Sequence, residues 1–201
     1  MRVSLEDLEA SCVQCQRCDL AKERHHVVIS RGHPSARLMV IGEAPGADED
    51  AQGRPFVGRS GRLLDACLAD VGLDRADDTY ICNLIKCRPP GNRRPTPAEL
   101  NACRPWLDRQ ILEVNPEILF ILGATATAAL LKSRTPISRL RGQWTEWNGR
   151  SVMPSFHPSY LLRNPSQEPG KPRSLFMADL ASVKQALNGV VSGLTQDSSD
   201  P

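Results

Sequence analysis

The sequence predicts an α/β fold in which helices cover both faces of a short, mainly parallel central sheet. Three observations predict it. Short apolar runs end at Gly42 and Gly123, segments with helical spacing separate the runs, and a complete helix-start signal stands at Thr96-Pro97-Ala98-Glu99. Strands alternating with helices in this way build a parallel sheet between helical layers, and ligands of such sheets collect beyond the carboxyl ends of the strands.

Taken in order, Arg37 to Ile41 and Glu117 to Leu122 read as buried strands, because continuous apolar runs of this length suit strands covered on both faces. Thr79 to Ile85 is a third strand between them. From Gly61 to Val71, the residues Leu63, Leu64, Cys67, Leu68 and Val71 recur at the spacing of an amphipathic helix. Thr96 supplies an N-cap hydroxyl, Pro97 a first-turn proline and Glu99 the partner carboxylate of a capping box, so a helix runs from there to Glu113. Ala124 to Leu131 reads as a short helix. Asn148-Gly149, the pair a type I′ turn favours, joins Gln143–Trp147 to Arg150–Phe156 in a hairpin. A last helix covers Ser174 to Leu187. Residues 1–190 are expected to form one domain, and residues 191–201 a disordered tail, since Thr195 to Pro201 is a polar stretch without apolar anchors.

A chain of 201 residues with 40% hydrophobic residues can bury one substantial core. Its formal charge of only +2 excludes a globally basic nucleic-acid protein, so any contact with phosphates must be local. No run of membrane-spanning length occurs, and the segment after Met1 has no apolar signal region, which leads us to expect an intracellular, cytoplasmic protein; a monomer is the expected state.

Seven cysteines are an odd number, and four of them fall in a pattern better suited to a metal than to disulfides, which are rare in reducing compartments. Cys15 and Cys18 form a C-x-x-C pair able to turn two thiolates toward one metal, and Cys87 and Cys103 can supply two more ligands. Fifteen residues separate Cys87 from Cys103, unlike a compact zinc ribbon, yet spacing alone does not choose zinc over an iron-sulfur cluster. Cys12 also pairs with Cys15 at the same interval, so the register of the first pair stays open at this point. Cys67 and Cys82 fall in regular elements and read as core thiols.

Three loops follow the strands. The first, Gly42-Glu43-Ala44-Pro45-Gly46-Ala47-Asp48-Glu49-Asp50 followed by Gly53-Arg54-Pro55-Phe56-Val57-Gly58, has neither the glycine spacing of a dinucleotide fingerprint nor the Gly-Lys-Ser/Thr of a P-loop. Its acids beside glycines suit proton or water chemistry, or simply a solvated turn. The second holds Asn83 and then Lys86, Arg88, Arg93 and Arg94, four cations without an acid, which either neutralise phosphates or form a solvated loop. The third places His157 at a strand end ahead of Pro158-Ser159-Tyr160-Leu161-Leu162-Arg163.

Together these blocks resemble the family 4 uracil-DNA glycosylases, the iron-sulfur branch of their superfamily, over Ser11 to Leu187. The resemblance rests on Gly42-Glu43-Ala44-Pro45-Gly46, Gly53-Arg54-Pro55-Phe56-Val57-Gly58, Asn83 through Lys86-Cys87-Arg88-Pro89-Pro90, and His157 through Arg163. It implies an α/β/α sandwich and the removal of uracil from single- or double-stranded DNA after base flipping. It also implies Cys15, Cys18, Cys87 and Cys103 as ligands of a [4Fe-4S] cluster, because the family's second cysteine stands nine residues before a Val-Val pair, as Cys18 does before Val27-Val28. Cys12 is then left over.

The resemblance further implies a pocket in which Gly42, Glu43 and Ala44 border uracil, Phe56 stacks on it, Asn83 reads it and His157 steadies the departing base. Glu49 is the favoured water-directing acid, with Glu43 lining the pocket. Arg88, Arg93, Arg94, Ser159, Tyr160, Leu161 and Arg163 are expected on DNA, with the Pro158–Leu161 segment pinching a phosphate and wedging into the emptied stack. The competing reading is a non-catalytic, or covalently trapping, uracil-DNA-binding protein. Trapping in a related branch uses a histidine in an extended loop after the second strand, and here that loop, Gly91-Asn92-Arg93-Arg94-Pro95, is short and holds none.

Overall fold

A computed structural model describes residues 4–189, so the expected tail at 191–201 lies outside the described residues. Six strands form one sheet: β1 (Ser30–Gly32), β2 (Leu38–Gly42), β3 (Thr79–Asn83), β4 (Ile118–Leu122), β5 (Thr145–Trp147) and β6 (Arg150–Ser155). Their order is β1-β3-β2-β4-β6-β5. The four inner strands are parallel, and β1 and β5 close the two edges antiparallel. Every residue of β2, β3 and β4 is buried, as continuous apolar runs covered on both faces require.

Among the described residues eight α-helices accompany the sheet: α1 (Leu5–Val13), α2 (Ala47–Gln52), α3 (Arg59–Asp70), α4 (Pro97–Val114), α5 (Ala124–Leu131), α6 (Ile137–Leu140), α7 (Pro158–Arg163) and α8 (Pro172–Leu187). Alternate residues of the strands feed two cores. Met39, Ile41 and Cys82 face a cluster with Leu107 and Ile111 of α4, whereas Val40, Ile81 and Phe120 join Leu64 and Leu68 of α3 and Leu180 and Val183 of α8. That is the three-layer arrangement expected. Among the described residues no helix is long and apolar enough to cross a membrane.

The expected elements appear within a few residues, whereas α1, β1 and α6 were not expected, and three further differences have a local cause. The acidic stretch after Gly46 is a helix, α2, because the Glu49 carboxylate turns back to accept from the Gly46 N–H at 3.0 Å and so starts the turn itself. The segment after His157 is also helical. Proline at its first position and the His157 imidazole, which accepts from the Ser159 N–H, begin α7. The third strand stops at Asn83 instead of reaching Ile85: the Leu84 N–H still makes the ladder bond to Gly42 O at 2.9 Å, but the Ile85 N–H then turns to Glu43 O at 3.4 Å, out of the alternation a parallel ladder requires.

Helix α4 opens as expected. Thr96 Oγ1 accepts from the Glu99 N–H, Glu99 Oε2 accepts from the Thr96 N–H at 2.7 Å, and the same carboxylate holds both arms of Arg93 at 2.9 and 2.6 Å. Arg93 and the Thr96 amide hold the Glu99 carboxyl at about 2 despite its burial, against an ordinary 4.5. A depressed folded-state pKa stabilises the protein fully above the unfolded value and loses that contribution as pH falls through the folded one. Glu99→Gln should therefore lower stability near pH 7 by about 1 to 3 kcal/mol. In urea titrations across pH, the gap to the parent should close as pH drops from 4.5 toward 2; a gap independent of pH would exclude the charge as its source.

Candidate functional site

The strand order turns back at β2: the chain passes from β2 to β3 on one side and then to β4 on the other. A crevice must open beyond the carboxyl ends at such a switch point. One does, with a volume of about 660 Å³, and its lining includes Glu43 after β2, Asn83 at the end of β3, Gly123 after β4 and His157 after β6. Glu49, Phe56, Arg94, Ser159, Tyr160 and Arg163 also face it.

Its floor is set by the missing side chain of Gly42. A Cβ there would stand 2.4 Å from Asn83 Oδ1 and 2.5 Å from Phe56 Cζ, so glycine alone lets the amide and the ring meet over the end of β2. Phe56 itself has φ of 54°, a left-handed conformation that costs a non-glycine residue free energy and must be held by its surroundings. Gly61 of α3 presses directly on the Phe56 backbone, where a Cβ would fall 1.8 Å from the carbonyl oxygen. Arg31 of β1 donates to that same oxygen at 3.4 Å while paired with Asp65 at 2.6 Å.

Asn83 is only 2% exposed, and its Oδ1 is buried with no hydrogen-bond partner among the described residues. An orphaned acceptor of this kind costs about 1 to 3 kcal/mol and calls for an external donor. Across the cavity, the Phe56 and His157 ring centroids are 5.9 Å apart with planes inclined by 32°. The Ser159 N–H donates to His157 Nδ1 at 3.2 Å, so this nitrogen carries no proton and Nε2 does. Burial, followed by the charge of Arg163, lowers the imidazole pKa to about 4. Near neutrality His157 is therefore an uncharged Nε2–H donor.

The two acids differ. Glu49 Oε1 accepts from the Val57 and Gly58 amides at 2.9 and 2.8 Å and Oε2 from Gly46, so this carboxylate ties α2 to the Phe56 loop. Glu43, half-buried, has no side-chain partner among the described residues.

The residues expected on DNA differ in exposure and in protein partners. Leu161 is 1% exposed in the core with Leu64 and Phe176, because the α7 turn directs it inward; it does not present a wedge in this conformation. Tyr160 is 38% exposed and packs its ring on Phe156 at 5.1 Å. Arg93 is committed to Glu99, and Arg88 donates to Asn92 Oδ1 at 2.7 Å, shaping the loop. Arg94 and Arg163 are exposed beside the cavity. Lys86, read as one of four loop cations, is 1% exposed and so does not reach a phosphate.

A second cavity is lined by Cys12, Cys15, Cys18, Cys87 and Cys103. Three of these sulfurs accept hydrogen bonds: Cys15 from Trp106 Nε1 at 3.2 Å, Cys87 from Arg24 at 3.4 Å and Cys103 from the Lys86 amide at 3.3 Å. Arg24 also donates to the Cys15 and Val13 carbonyls. Burial pushes the Cys103 thiol up to about 11 and the wholly buried Cys12 thiol to about 12, in both cases offset in part by the Lys86 charge. Among the described residues no three histidine, cysteine or carboxylate side chains are set to hold a single metal ion. Sequence reasoning did not identify Arg24, Trp106, Arg31 or Gly61, whose roles arise from tertiary contacts alone.

The comparisons with known proteins agree with one another. A family model described as the uracil DNA glycosylase superfamily matches residues 29–181. The type-4 uracil-DNA glycosylase of Thermotoga maritima is 44% identical over 85% of this chain and 88% of its own length. That of Saccharolobus solfataricus is 40% identical over 87% of this chain and 82% of its own. The type-5 uracil-DNA glycosylase of Thermus thermophilus is 33% identical over 77% of each. This chain belongs to the uracil-DNA glycosylase superfamily, in its type-4 branch.

Proposed function

We propose that this protein removes uracil from DNA by hydrolysing the N-glycosidic bond of a flipped deoxyuridine, which initiates base excision repair inside the cell. The observation that carries the reading is the orphaned Asn83 Oδ1 at the bottom of the cavity. Uracil N3–H would donate to this oxygen, and the Asn83 amide would donate to uracil O4. Cytosine presents an acceptor at N3 and a donor at position 4, so the same side chain rejects it. Phe56 stacks on the base, an interaction of about 1 to 3 kcal/mol.

As the N1–C1′ bond breaks, its electron pair goes to uracil and the sugar gains oxocarbenium character. His157 Nε2–H donates to uracil O2 as the charge develops, a preorganised donor that needs no proton transfer. Water then attacks C1′ and leaves an abasic sugar. Glu43, the cavity carboxylate without a protein partner, accepts the proton of that water. Glu49 remains close by as a fixed negative charge that favours the cationic sugar, and it holds the loop. This revises the sequence-based preference for Glu49 as the water-directing group.

Arg94, Arg163, Ser159 and Tyr160 are assigned to the DNA backbone and the emptied stack. Turnover, rather than trapping, is supported by the short turn Pro90–Asn92, which has no histidine. The protein acts as a monomer in this reading.

The thiols fit an iron-sulfur site on their chemistry: they share a cavity, and three sulfurs receive N–H donors of the kind that stabilise thiolate ligands. We assign Cys15, Cys18, Cys87 and Cys103 as the ligands of a [4Fe-4S] cluster and leave Cys12 as a neutral core thiol. When bound, the cluster supplies a cross-link between the N-terminal segment, the loop after β3 and α4, with no redox part in base removal. Anaerobically purified protein should contain iron and labile sulfide, and Cys87→Ser should lose both.

The central test is incubation with a single-uracil oligonucleotide followed by alkaline cleavage, with cytosine as control; absence of a uracil-dependent break would overturn the reading. Asn83→Asp should acquire cytosine excision. Gly42→Ala, which forces the ring and amide apart, should lower kcat by about 100-fold, the scale expected for a displacement near 1 Å. Glu43→Gln should lower kcat with little change in Tm, whereas Glu49→Gln should lower both. Because His157 titrates at about 4, kcat should show no inflection from it between pH 5 and 8. An inflection near 6.5 that disappears in His157→Gln would contradict the neutral-donor assignment.

A further inference from the structure

Lys86 is the largest fully buried polar side chain, 1% exposed, and it lies between the two cavities. Its Nζ donates to the backbone oxygen of Asn83 at 2.6 Å. Its own amide donates to Cys103 Sγ at 3.3 Å, its carbonyl accepts from the Val28 N–H at 2.7 Å, and its side chain lines the cysteine cavity. An ammonium has three N–H donors, and only one acceptor is recorded for it among the described residues. Burying a charge so sparsely satisfied is costly unless opposite charge stands near. The neighbouring groups able to supply it are the cavity thiolates.

We propose that Lys86 is a positioning residue that couples the cysteine site to uracil recognition: it is the internal counter-charge of the thiolate-bound cluster and anchors the Asn83 backbone from beneath. The proposal rests on the cluster and Asn83 assignments made above. With thiolates ligated, the ammonium is drawn between negative sulfur and the Asn83 carbonyl, which fixes where β3 ends and where the Asn83 amide points. One further observation agrees. Asn83 Oδ1 has no bond among the described residues, so the orientation of that side chain depends on its backbone.

The test uses holoprotein with Lys86→Met, which keeps the length but removes charge and donors, and Lys86→Gln, which keeps a donor without charge. Iron and sulfide content, the reduction potential of the cluster and uracil-excision kinetics are measured together, with Tm as a control. Removing the positive charge should move the potential to more negative values in both variants. K86M should lose kcat/KM by about tenfold or more, the equivalent of one lost charged hydrogen bond, and K86Q should recover part of that loss. Should K86M not fold, K86Q decides by the potential and by a kinetic loss smaller than tenfold but measurable. A variant that changes only one of the two readouts overturns the coupling, as does one with parental values for both. Parent protein without iron and sulfide would instead sink the cluster assignment, a failure visible before either variant is made.

Discussion

The close approach over Gly42 is the constraint on which the recognition end of the molecule depends. A parallel sheet brings its strand ends to one side, but it leaves them about 4.8 Å apart, and side chains must then converge to make a site. Here convergence happens because β2 ends without a side chain. The Asn83 amide and the Phe56 ring occupy the space that a Cβ would have filled. Holding Phe56 there requires a left-handed backbone, and the supporting contacts come from three separate elements: Gly61 in α3, Arg31 in β1 and the Glu49 carboxylate through the neighbouring Val57 and Gly58 amides. The free energy of packing those elements is thus what keeps a locally unfavourable conformation in place.

The same logic organises the charged groups. Carboxylates that the composition presents as solvated are used as internal struts: Glu49 for the α2 loop, Glu99 for the α4 cap, and Asp179, buried in α8, which accepts from Ser155 Oγ at 2.5 Å and is paired with Arg141. Ser155 ends β6 two residues before His157, so the last of these struts supports the strand that delivers the imidazole. Cations behave alike. Arg24, Arg31, Arg93 and Lys86 each serve protein carbonyls, carboxylates or sulfurs, which leaves a small number of exposed arginines by the cavity to meet phosphate and reconciles a formal charge of +2 with a DNA substrate.

Most of the architecture was legible in the sequence because it rests on periodic burial and local caps. The strands around Val40, Ile81 and Phe120, the Thr96 cap and the Asn148-Gly149 turn, with φ of 50° and 73°, all depend on neighbours close in the chain or on simple two-sided burial. Asn83, Phe56 and His157 were legible as candidates through the resemblance of their blocks to a family. What was not legible was the division of labour among similar side chains. Glu43 and Glu49 look equivalent in sequence, and only the fold shows that one is bonded to three amides. Lys86 sits in a run of cations, yet the strand end turns it inward. Leu161 lies in a segment that resembles a wedge, but the helix it belongs to points it at Phe176. Each of these differences is set by which way a side chain faces, a property that a run of polar or mixed residues leaves undetermined.

The short edge strands have a practical meaning as well. β6 runs toward the cavity, so the hairpin that joins it to β5 turns at the opposite end of the sheet, where Asn148 and Gly149 are exposed and a Cβ on Gly149 would meet nothing within 4 Å. This turn is anchored from behind by Arg150, which donates to Asn115 Oδ1 at 2.8 Å, and it is separated from the chemistry by the whole length of a strand. It is consequently a natural attachment point for a fluorophore, an affinity handle or an inserted peptide, through which the protein can be immobilised or tracked on DNA without an obstacle at the mouth of its cavity.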